Sequence, residues 1–525
     1  MKACNSKYIG WGVVGIGALV LFLFYFKMLP YHLFHREQIQ LFLFSSETLI
    51  QYFERPAALA CLMGDFLTQF FYYEGAGPVI LSLVLLLWGF VVFRLFVPCI
   101  GHWAWLPAVL ALVWEAGRQC GIVYPLSATF ALIGGAVIAL CCRRYMHKSW
   151  KMALPVGLIS VAVSYYLFGC GIWITTLFLF NRRNLWIWFL LLAETCALPA
   201  MVRRSCLLTW SQTYTYPATL WYYTPNFERE HQLRIDCEMY FGRMDRVQAA
   251  LSEKDPHSLF TTYYYNLLNA RQGQLPFKLM EYYQPASLGL FLPVAPTSNY
   301  ITIYAANELW FTLGDVTMAE HATILGMIFS PNHTGARAIK RLAEINLING
   351  DEAAAMKYLR LLQKTFCYRD WAERRIPGRQ TSEVSQWLER KRQLIPETDT
   401  LRISGDVPLS LHHLLRTHPE NEMALNYLLC YDLLNKDIGA FAKDYQEFAA
   451  NNVPCRLYAE GLLIYLAGNK ASIDEVKKWR IAPQILDEFN EYSKLYEAGN
   501  GDGTALQAKY GKTYWFYFHY ATMKQ

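Results

Sequence analysis

The sequence lacks the residue patterns that identify common enzymes and metal sites. It contains no Gly-x-x-x-x-Gly-Lys-Ser/Thr, no strand-borne Gly-x-Gly-x-x-Gly and no His-Glu-x-x-His, so nucleotide-loop and zincin chemistry lack their minimum residues. None of the 13 cysteines forms a Cys-x-x-Cys pair, and their spacing indicates neither a disulfide framework nor a zinc site. We therefore predict no cofactor and no metal.

Charge is also scarce, because only 17% of the 525 residues are charged and the first 202 residues carry the apolar excess. Apolar runs such as Pro78 to Val97 and Ile122 to Cys142 reach the roughly 17 to 25 residues that a membrane-spanning helix needs. The net charge of +6 comes from juxtamembrane Lys and Arg and from mixed-sign helix faces, so it does not indicate nucleic-acid binding. The sequence predicts an integral membrane protein with a large polar C-terminal half.

Residues 1–202 are predicted to form a transmembrane domain of six or seven helices in the cell inner membrane. Lys2 and Lys7, ahead of the first apolar run, favour a cytoplasmic N-terminus. The count depends on residues 152–180, which are nearly uncharged and interrupted by Gly169-Cys170-Gly171. If the chain reverses tightly at the glycine pair, there are seven spans and the C-terminal half is periplasmic. If residues 152–180 form one tilted helix, there are six spans and the C-terminal half is cytoplasmic. The length of residues 152–180 favours seven spans. The predicted spans are residues 9–26, 78–97, 102–114, 122–142, 152–168, 171–180 and 185–202.

Polar residues alternate with apolar clusters in the first outer loop, residues 29–76. We predict amphipathic helices that lie along the outer surface of the membrane. His32 and His35 stand three residues apart near Glu37, a spacing that could share a metal on one helical face. The sequence nominates no fourth ligand, and interfacial side chains at the membrane edge explain the two histidines as well.

The apolar positions take a helical period after an aromatic interfacial linker at residues 203–230. Paired amphipathic stretches recur around Gly or Asn-Asp turns at intervals of 41, 36, 86 and 32 residues. We interpret these as a period of about 34 to 40 residues, doubled once across the polar stretch 380–410, which is typical of helix hairpins stacked as a solenoid. The polar stretch 373–402 predicts an internal loop or boundary. The fold class is therefore predicted to be all-α, a transmembrane bundle followed by a tetratricopeptide-like helical-repeat domain at residues 231–525. The predicted turns are Gly273, Gly314-Asp315, Asn349-Gly350-Asp351, Asn435-Lys436-Asp437 and Gly468-Asn469.

Two parts of the sequence carry a family resemblance. One is Gly64–Tyr73, ahead of the second predicted span, and the other is Lys340–Asp351 together with Lys357–Leu359 and Lys364–Glu373. These segments resemble an uncharacterised family of multi-pass membrane proteins from Bacteroidota. The resemblance implies membrane spans followed by a helical-repeat domain, and it implies no activity and no catalytic residues.

The order of these features is also similar in outline to that of C-type integral membrane glycosyltransferases. Those enzymes combine a cytoplasmic N-terminus, a long first outer loop with a catalytic carboxylate, many spans and a polar C-terminal domain outside. By this likeness, a loop carboxylate would act as base toward an acceptor while a lipid-linked phosphate leaves, although topology alone does not establish function. Asp65 is the first candidate because it adjoins Gly64 and precedes an aromatic segment; the other available carboxylates are Glu54, Glu74 and Glu47.

Two acidic residues fall within the predicted membrane domain. Glu194 lies in the middle of a span with no charged residue within four positions, and an ionisable group at that depth is a functional hypothesis by default. It could equally be protonated and hydrogen-bonded between helices. Glu115 and Arg118 lie at i and i+3 near the end of a span, so we predict that they pair with each other.

The absence of a strong catalytic motif favours a binding protein over an enzyme. Helical repeats present concave surfaces to partner proteins, and here the repeats would be tethered to the bilayer of the cell envelope. We predict an inner-membrane protein that scaffolds or binds a protein partner, with no nucleic acid. The alternative is a C-type-like glycosyltransferase that uses a lipid-linked sugar donor, and whether the chain is an enzyme stays open.

Overall fold

A computed structural model describes residues 15–206, 223–253, 258–396, 405–499 and 503–522. Every regular element in these ranges is helical, which confirms the all-α class. The chain divides into two compact units, and each is described by itself. The first unit comprises Met1–Leu233, Thr334–Lys340 and Lys357–Ile376, and the second comprises Arg234–His333, Arg341–Met356 and Pro377–Gln525.

The helices are numbered in chain order, and three of them (α11, α17 and α18) are divided between the two units. In the first half of the chain they are α1 Gly15–Met28, α2 Tyr31–Gln38, α3 Ser46–Phe53, α4 Ala58–Thr68, α5 Ala76–Ile100, α6 Trp105–Gln119, α7 Leu126–Met146, α8 Trp150–Phe168, α9 Ile172–Phe178, α10 Leu185–Cys206, α11 Phe227–Tyr240, α12 Met244–Ser252, α13 Leu259–Arg271 and α14 Leu275–Lys278. In the second half they are α15 Tyr300–Leu313, α16 Val316–Phe329, α17 Ala336–Asn349, α18 Glu352–Gln363, α19 Arg369–Glu373, α20 Ser382–Arg392, α21 Val407–Thr417, α22 Glu422–Leu434, α23 Ile438–Phe448, α24 Arg456–Gly468, α25 Ile473–Lys478, α26 Pro483–Ala498, α27 Thr504–Tyr510 and α28 Tyr514–Tyr520.

Among the described residues, four helical stretches are long and apolar enough to cross a membrane, and α1 with α2 would add a fifth if that pair, bent by 74°, is one span. This count is lower than the six or seven spans predicted. Predicted spans 102–114 and 171–180 are not long helices of their own, because α6 has 15 residues and α9 has seven, and each follows a longer helix across a 3-10 turn. The four stretches are Ala76–Gln119, Leu126–Met146, Trp150–Phe178 and Arg182–Ser205.

Two of these stretches fold back on themselves. The indole Nε1 of Trp88 donates to the Ala111 carbonyl at 3.1 Å, although 23 residues of straight helix would separate the two by about 34 Å. Likewise, the hydroxyls of Ser164 and Thr175 are 2.7 Å apart across the Gly169–Gly171 turn. Helices α5 and α6 therefore form a hairpin, and α9 turns back against α8.

Glycines allow the helices of the first unit to approach closely. A Cβ on Gly135 of α7 would lie 2.2 Å from the carbonyl oxygen of Gly171, and a Cβ on Gly64 of α4 would lie 2.4 Å from the backbone nitrogen of Ser127. Small residues at such crossings let backbones pack where larger side chains would hold them apart. The chain reversal before α9 and the seating of α4 on α7 both depend on these glycines.

The second unit contains the helix hairpins that the turn signals predict. Gly314 and Lys436 take left-handed conformations, with φ of 97° and 58°, and each ends one helix before an Asp caps the next. The Asp315 side chain accepts from the backbone N–H of Met318, and the Asp437 side chain accepts from that of Ala440. Short turns with an N-capping carboxylate start α16 and α23 where the sequence predicts new helices.

Contacts in the second unit also join helices that are distant in sequence. The ring of Phe291, ahead of α15, packs on that of Tyr427 of α22 with centroids 5.3 Å apart. Asn421 donates its side-chain amide to the Leu313 carbonyl at 2.9 Å. In a solenoid each repeat contacts only its neighbours in sequence, so the predicted sequential stack is not confirmed.

Two predicted connections fall partly outside the described residues. Of the interfacial linker 203–230, residues 207–222 lie outside them. Of the predicted loop or boundary 373–402, residues 397–402 lie outside them, and α20 occupies its centre.

Candidate functional site: a buried polar cluster around helix α2

Helix α2 is buried along most of its length although its sequence is polar. Burying charged groups costs several kcal/mol unless hydrogen bonds or opposite charges compensate. The partners of α2 within the first unit therefore define a candidate site, which we call the α2 cluster. This burial differs from the predicted amphipathic helix on the membrane surface. The polar side chains of α2, each at most 4% exposed, are His32, His35, Arg36, Glu37 and Gln38.

One side of the α2 cluster is a hydrogen-bonded chain to the end of α6. Arg36 donates to the side-chain oxygen of Gln119 at 2.9 Å, and Gln119 donates its amide N–H to the Thr129 hydroxyl at 2.7 Å. Thr129 in turn donates to Glu115 at 2.6 Å. The Nε2–H of His32 donates to the Gln119 carbonyl at 3.2 Å. A guanidinium and a carboxylate are thus joined through two neutral side chains.

Glu115 is fully buried and accepts from three groups. Arg118 lies 3.4 Å from Oε2 of Glu115, which confirms the predicted i, i+3 pair. The hydroxyl of Tyr124 donates to Oε1 at 2.9 Å, and the Arg118 guanidinium lies 4.5 Å from the centroid of the Tyr124 ring. Glu115 therefore belongs to the α2 cluster by way of Thr129.

Glu230 from α11 closes the cluster at the start of α2. Its carboxylate accepts from the backbone N–H groups of Tyr31 and His32, the latter at 3.1 Å. These are N–H groups that the first turn of a helix leaves without intrahelical partners, and a carboxylate there also interacts favourably with the helix dipole. Burial raises the pKa of Glu230 to about 8, although the two backbone hydrogen bonds lower it. Glu230 therefore takes up a proton near neutral pH.

The other side of the α2 cluster is formed by residues from far along the chain that belong to the same unit. The Tyr368 hydroxyl donates to Glu37 at 3.0 Å, and Arg337 donates to the Gln38 side chain at 3.4 Å. The carbonyl of Gln40 accepts from the backbone N–H of Ala336 at 3.0 Å. Within the first unit, residues 29–76 therefore share one polar core with residues 334–340 and 357–376.

The two segments that carry the family resemblance meet here. Cys367 donates its thiol to the Gln69 carbonyl at 3.3 Å, and the ring of Phe366 packs on that of Phe70 with centroids 5.7 Å apart. The cavity between them, lined by Glu37, Gln69 and Tyr368 among others, has a volume of about 10 Å³. That volume holds about one water molecule, so this cavity cannot accept a sugar or a lipid headgroup.

Asp65 is the predicted carboxylate that the structure places in a defined polar setting. The Tyr52 hydroxyl donates to its Oδ2 at 2.8 Å, and Gln40 donates to its backbone carbonyl at 3.0 Å. Burial raises the pKa of Asp65 to about 6, although the Tyr52 hydrogen bond and the Arg55 guanidinium lower it. A carboxyl group with that pKa can take up or release a proton near neutral pH.

The remaining predicted carboxylates are exposed or half-buried. Glu47, Glu54 and Glu74 are exposed. Glu194 is half-buried on α10, within one of the four apolar stretches. No group of three or more His, Cys, Asp or Glu side chains within the described ranges is arranged to hold a metal ion. Among the predicted carboxylates, Asp65 and Glu115 each accept hydrogen bonds from side chains of other segments.

Sequence reasoning missed Glu37, Glu230 and Tyr368 as members of one cluster. Glu230 and Tyr368 are 198 and 331 residues from their partners in α2, so no local spacing relates them. A signal was present in α2 itself, where the four residues from His35 to Gln38 are polar and together face all sides of the helix. Such a helix needs polar partners on several sides.

Comparisons with known proteins identify a family and no activity. No curated protein and no solved structure matches the chain. A family model does match it from residue 5 to residue 521, and this range includes both units and the α2 cluster. The chain therefore belongs to the family of unknown function DUF6057.

Proposed function

We propose that the chain is a membrane-anchored binding protein of the cell envelope, in which the apolar helices of the first unit cross the inner membrane and the second unit binds a protein partner. The observation that carries this proposal is an open cavity of about 530 Å³ in the second unit, lined by α23, α24, α26 and α28. Binding sites typically have volumes of about 300 to 1,000 Å³ and aromatic walls with a few polar groups.

The contacts of the α2 cluster support a topology for this protein. The first outer loop bonds to residues 336 and 368, so these segments lie on the same side of any membrane that the helices cross. Lys2 and Lys7 favour a cytoplasmic N-terminus, and α1 then carries the loop outward. Helices α5 and α6 form a hairpin, so α7 ends on the inner side. Asn181, just before α10, donates to the carbonyl of Met146 at the end of α7, so α10 starts on that inner side and returns the chain to the outer side. We therefore place the second unit in the periplasm.

Complementation of a strain that lacks the gene tests the binding function. Gly439 lines the cavity, and a Cβ there would meet only the Asp437 carboxylate at 3.7 Å, so a larger side chain enters open space. We expect Gly439→Phe to lose complementation under envelope stress, such as growth with detergent, because the Phe side chain occupies part of the cavity. Gly439→Ala is the matched control and should complement fully. Full complementation by Gly439→Phe at wild-type protein levels would remove the proposal.

A second candidate function is favoured by one observation, the setting of Asp65. A carboxylate base toward an acceptor hydroxyl, as in C-type glycosyltransferases, needs a pKa near the working pH, and the pKa of Asp65 is raised to about 6. Glu54 and Glu74 are exposed. Under this candidate the substrate would be a lipid-linked sugar at the outer face of the membrane.

Asp65→Asn separates the two candidates. The folded pKa of Asp65 lies above its ordinary value of 3.8, so the folded state binds the proton more tightly and loses stability as pH rises from about 4 to 6. The neutral amide avoids that cost, and we expect Asp65→Asn to fold at least as well as wild type at pH 7. Loss of complementation by this variant, with Glu54→Gln unaffected, would favour catalysis, whereas retention favours the binding protein.

A further inference from the structure

We propose that the cavity of the second unit binds a basic side chain, lysine or arginine, of a polypeptide partner, between aromatic rings and a carboxylate. This inference rests on the proposed binding function and names the chemistry that the cavity recognises. Three features of the cavity lead to it: its ring walls, its carboxylate and its open space.

Aromatic rings form the walls of the cavity. Tyr496 stacks on His519 with ring centroids 4.3 Å apart, and Tyr492 lies parallel to His519 at 5.7 Å. Tyr492 is held in place because its hydroxyl lies 2.8 Å from Nδ1 of His519 and 3.2 Å from the Trp515 carbonyl. Phe489 and Phe518 complete the aromatic lining. Ring faces attract cations through their quadrupoles, and fixed rings do so at little entropic cost.

The lining of the cavity carries one carboxylate, and Lys436 beside the cavity is held by the Ala521 carbonyl. Glu497 supplies a carboxylate, and among the described residues that line the cavity there is no lysine or arginine. Ala467, Gly468 and Asn469 line it at the C-terminal end of α24, where the helix dipole adds partial negative charge. Burial lowers the pKa of His519, and the charge of Lys436 lowers it further, so the imidazole is neutral at pH 7. Glu497 and the helix end favour a cation in the cavity, and the Lys436 ammonium beside Phe518 opposes it.

The same aromatic cluster already holds one cation of the chain. The Lys436 ammonium lies 6.0 Å from the ring centroid of Phe518 and 5.8 Å from that of Tyr517, and it donates to the Ala521 carbonyl. Rings and a carbonyl oxygen thus suffice to seat a lysine beside the cavity. The cavity offers a second ammonium or guanidinium the same ring chemistry together with the Glu497 carboxylate.

The cavity has room for an incoming side chain. Its volume of about 530 Å³ exceeds that of a single side chain, and Gly468 at its edge has no atom within 4 Å of an added Cβ. The apolar side chains of Ile438 and Ile464 line it as well, which suits the methylene stem of lysine or arginine.

Titration of the purified full-length protein in detergent tests the assignment. The probes are the peptide Ac-Leu-Lys-Leu-amide and its norleucine analogue, which keeps the stem and lacks the charge. We expect the lysine peptide to bind about tenfold more tightly, since cation–π and carboxylate contacts together are worth about that factor. Glu497→Gln should reduce the preference several-fold, Gly439→Phe should abolish binding of both peptides, and Glu389→Gln on exposed α20 should change nothing.

Two results would overturn the inference. Equal affinity for the two peptides would show that the cavity recognises apolar groups and not a cation. If the protein binds choline chloride as tightly as the lysine peptide, the ligand is a small ammonium compound or a lipid headgroup and not a polypeptide side chain. If either result occurs and Gly439→Phe still loses complementation, the binding function stands and only the proposed ligand, a lysine or arginine side chain, is disproved.

Discussion

Replacing Arg341 with methionine is expected to destabilise the second unit by about 3 to 5 kcal/mol, because it breaks a buried ion pair by removing one partner. Arg341 donates through one nitrogen to both carboxylate oxygens of Glu308 at 2.9 Å, and the two side chains are 10% and 5% exposed. The guanidinium also bonds to Glu344 at 3.1 Å and lies 3.7 Å from the centroid of the Phe311 ring.

A neighbouring cation offsets a small part of this effect, because the charge of Arg341 repels Lys391 and its removal ends that repulsion. Lys391 donates to the Phe311 carbonyl at 2.9 Å, and burial lowers the pKa of Lys391 to about 8. Methionine keeps the length of the arginine stem but offers Glu308 no donor. A loss of 3 to 5 kcal/mol corresponds to a fall in Tm of roughly 10 °C for a unit of this size.

Thermal unfolding in detergent, followed by tryptophan fluorescence, measures this change. The double variant Arg341→Met with Glu308→Leu should recover most of the stability, since it removes both charges together. Arg390→Met, on an exposed position of α20, is the matched control and should shift Tm by less than about 2 °C. A single Arg341→Met variant with the Tm of wild type would show that the pair contributes little.

Gly135→Val is expected to prevent correct packing of the first unit. The added Cβ would lie 2.2 Å from the Gly171 carbonyl oxygen, 2.7 Å from its carbonyl carbon and 2.8 Å from its Cα. All three are backbone atoms, so no side-chain rotation relieves the overlap. Overpacking in cores costs about 1 to 3 kcal/mol when side chains can adjust, and here helix α7 would have to move away from the turn before α9.

Yield and monodispersity in detergent, measured by size-exclusion chromatography, report this packing. We expect Gly135→Val to aggregate or to yield a small fraction of the wild-type amount. Gly17→Val is the control, because a Cβ on Gly17 of α1 meets no atom within 4 Å. A monodisperse Gly135→Val protein at wild-type yield would contradict the close approach of α7 to Gly171.

Local patterns predicted much of the fold. The all-α class, the turns at Gly314 and Lys436 and the Glu115–Arg118 pair all depend on residues within a few positions of each other, where spacing determines contact. Helices also occur at each predicted span within the described residues, because apolar runs of that length are helical in either a membrane or a core.

Contacts between distant residues could not be predicted in this way. The partner of Glu37 is 331 residues away, and the partner of His32 is 198 residues away. The polar sequence of α2 is compatible with a membrane surface or with a buried network, and only Tyr368, Glu230 and Gln119 decide between them. The same limit explains why the predicted sequential stack of hairpins is not confirmed, since no residue near Phe291 in the sequence indicates its contact with Tyr427.

The account depends on the first outer loop and the C-terminal half of the chain lying on one side of the membrane. Alkaline phosphatase, which gains its disulfides and activity only outside the cytoplasm, tests this when it is inserted after Glu54, fused after Gln525 or inserted after Lys148 between α7 and α8. We predict activity at Glu54 and at Gln525 and none at Lys148. Activity at only one of the first two sites would contradict the shared polar core around α2.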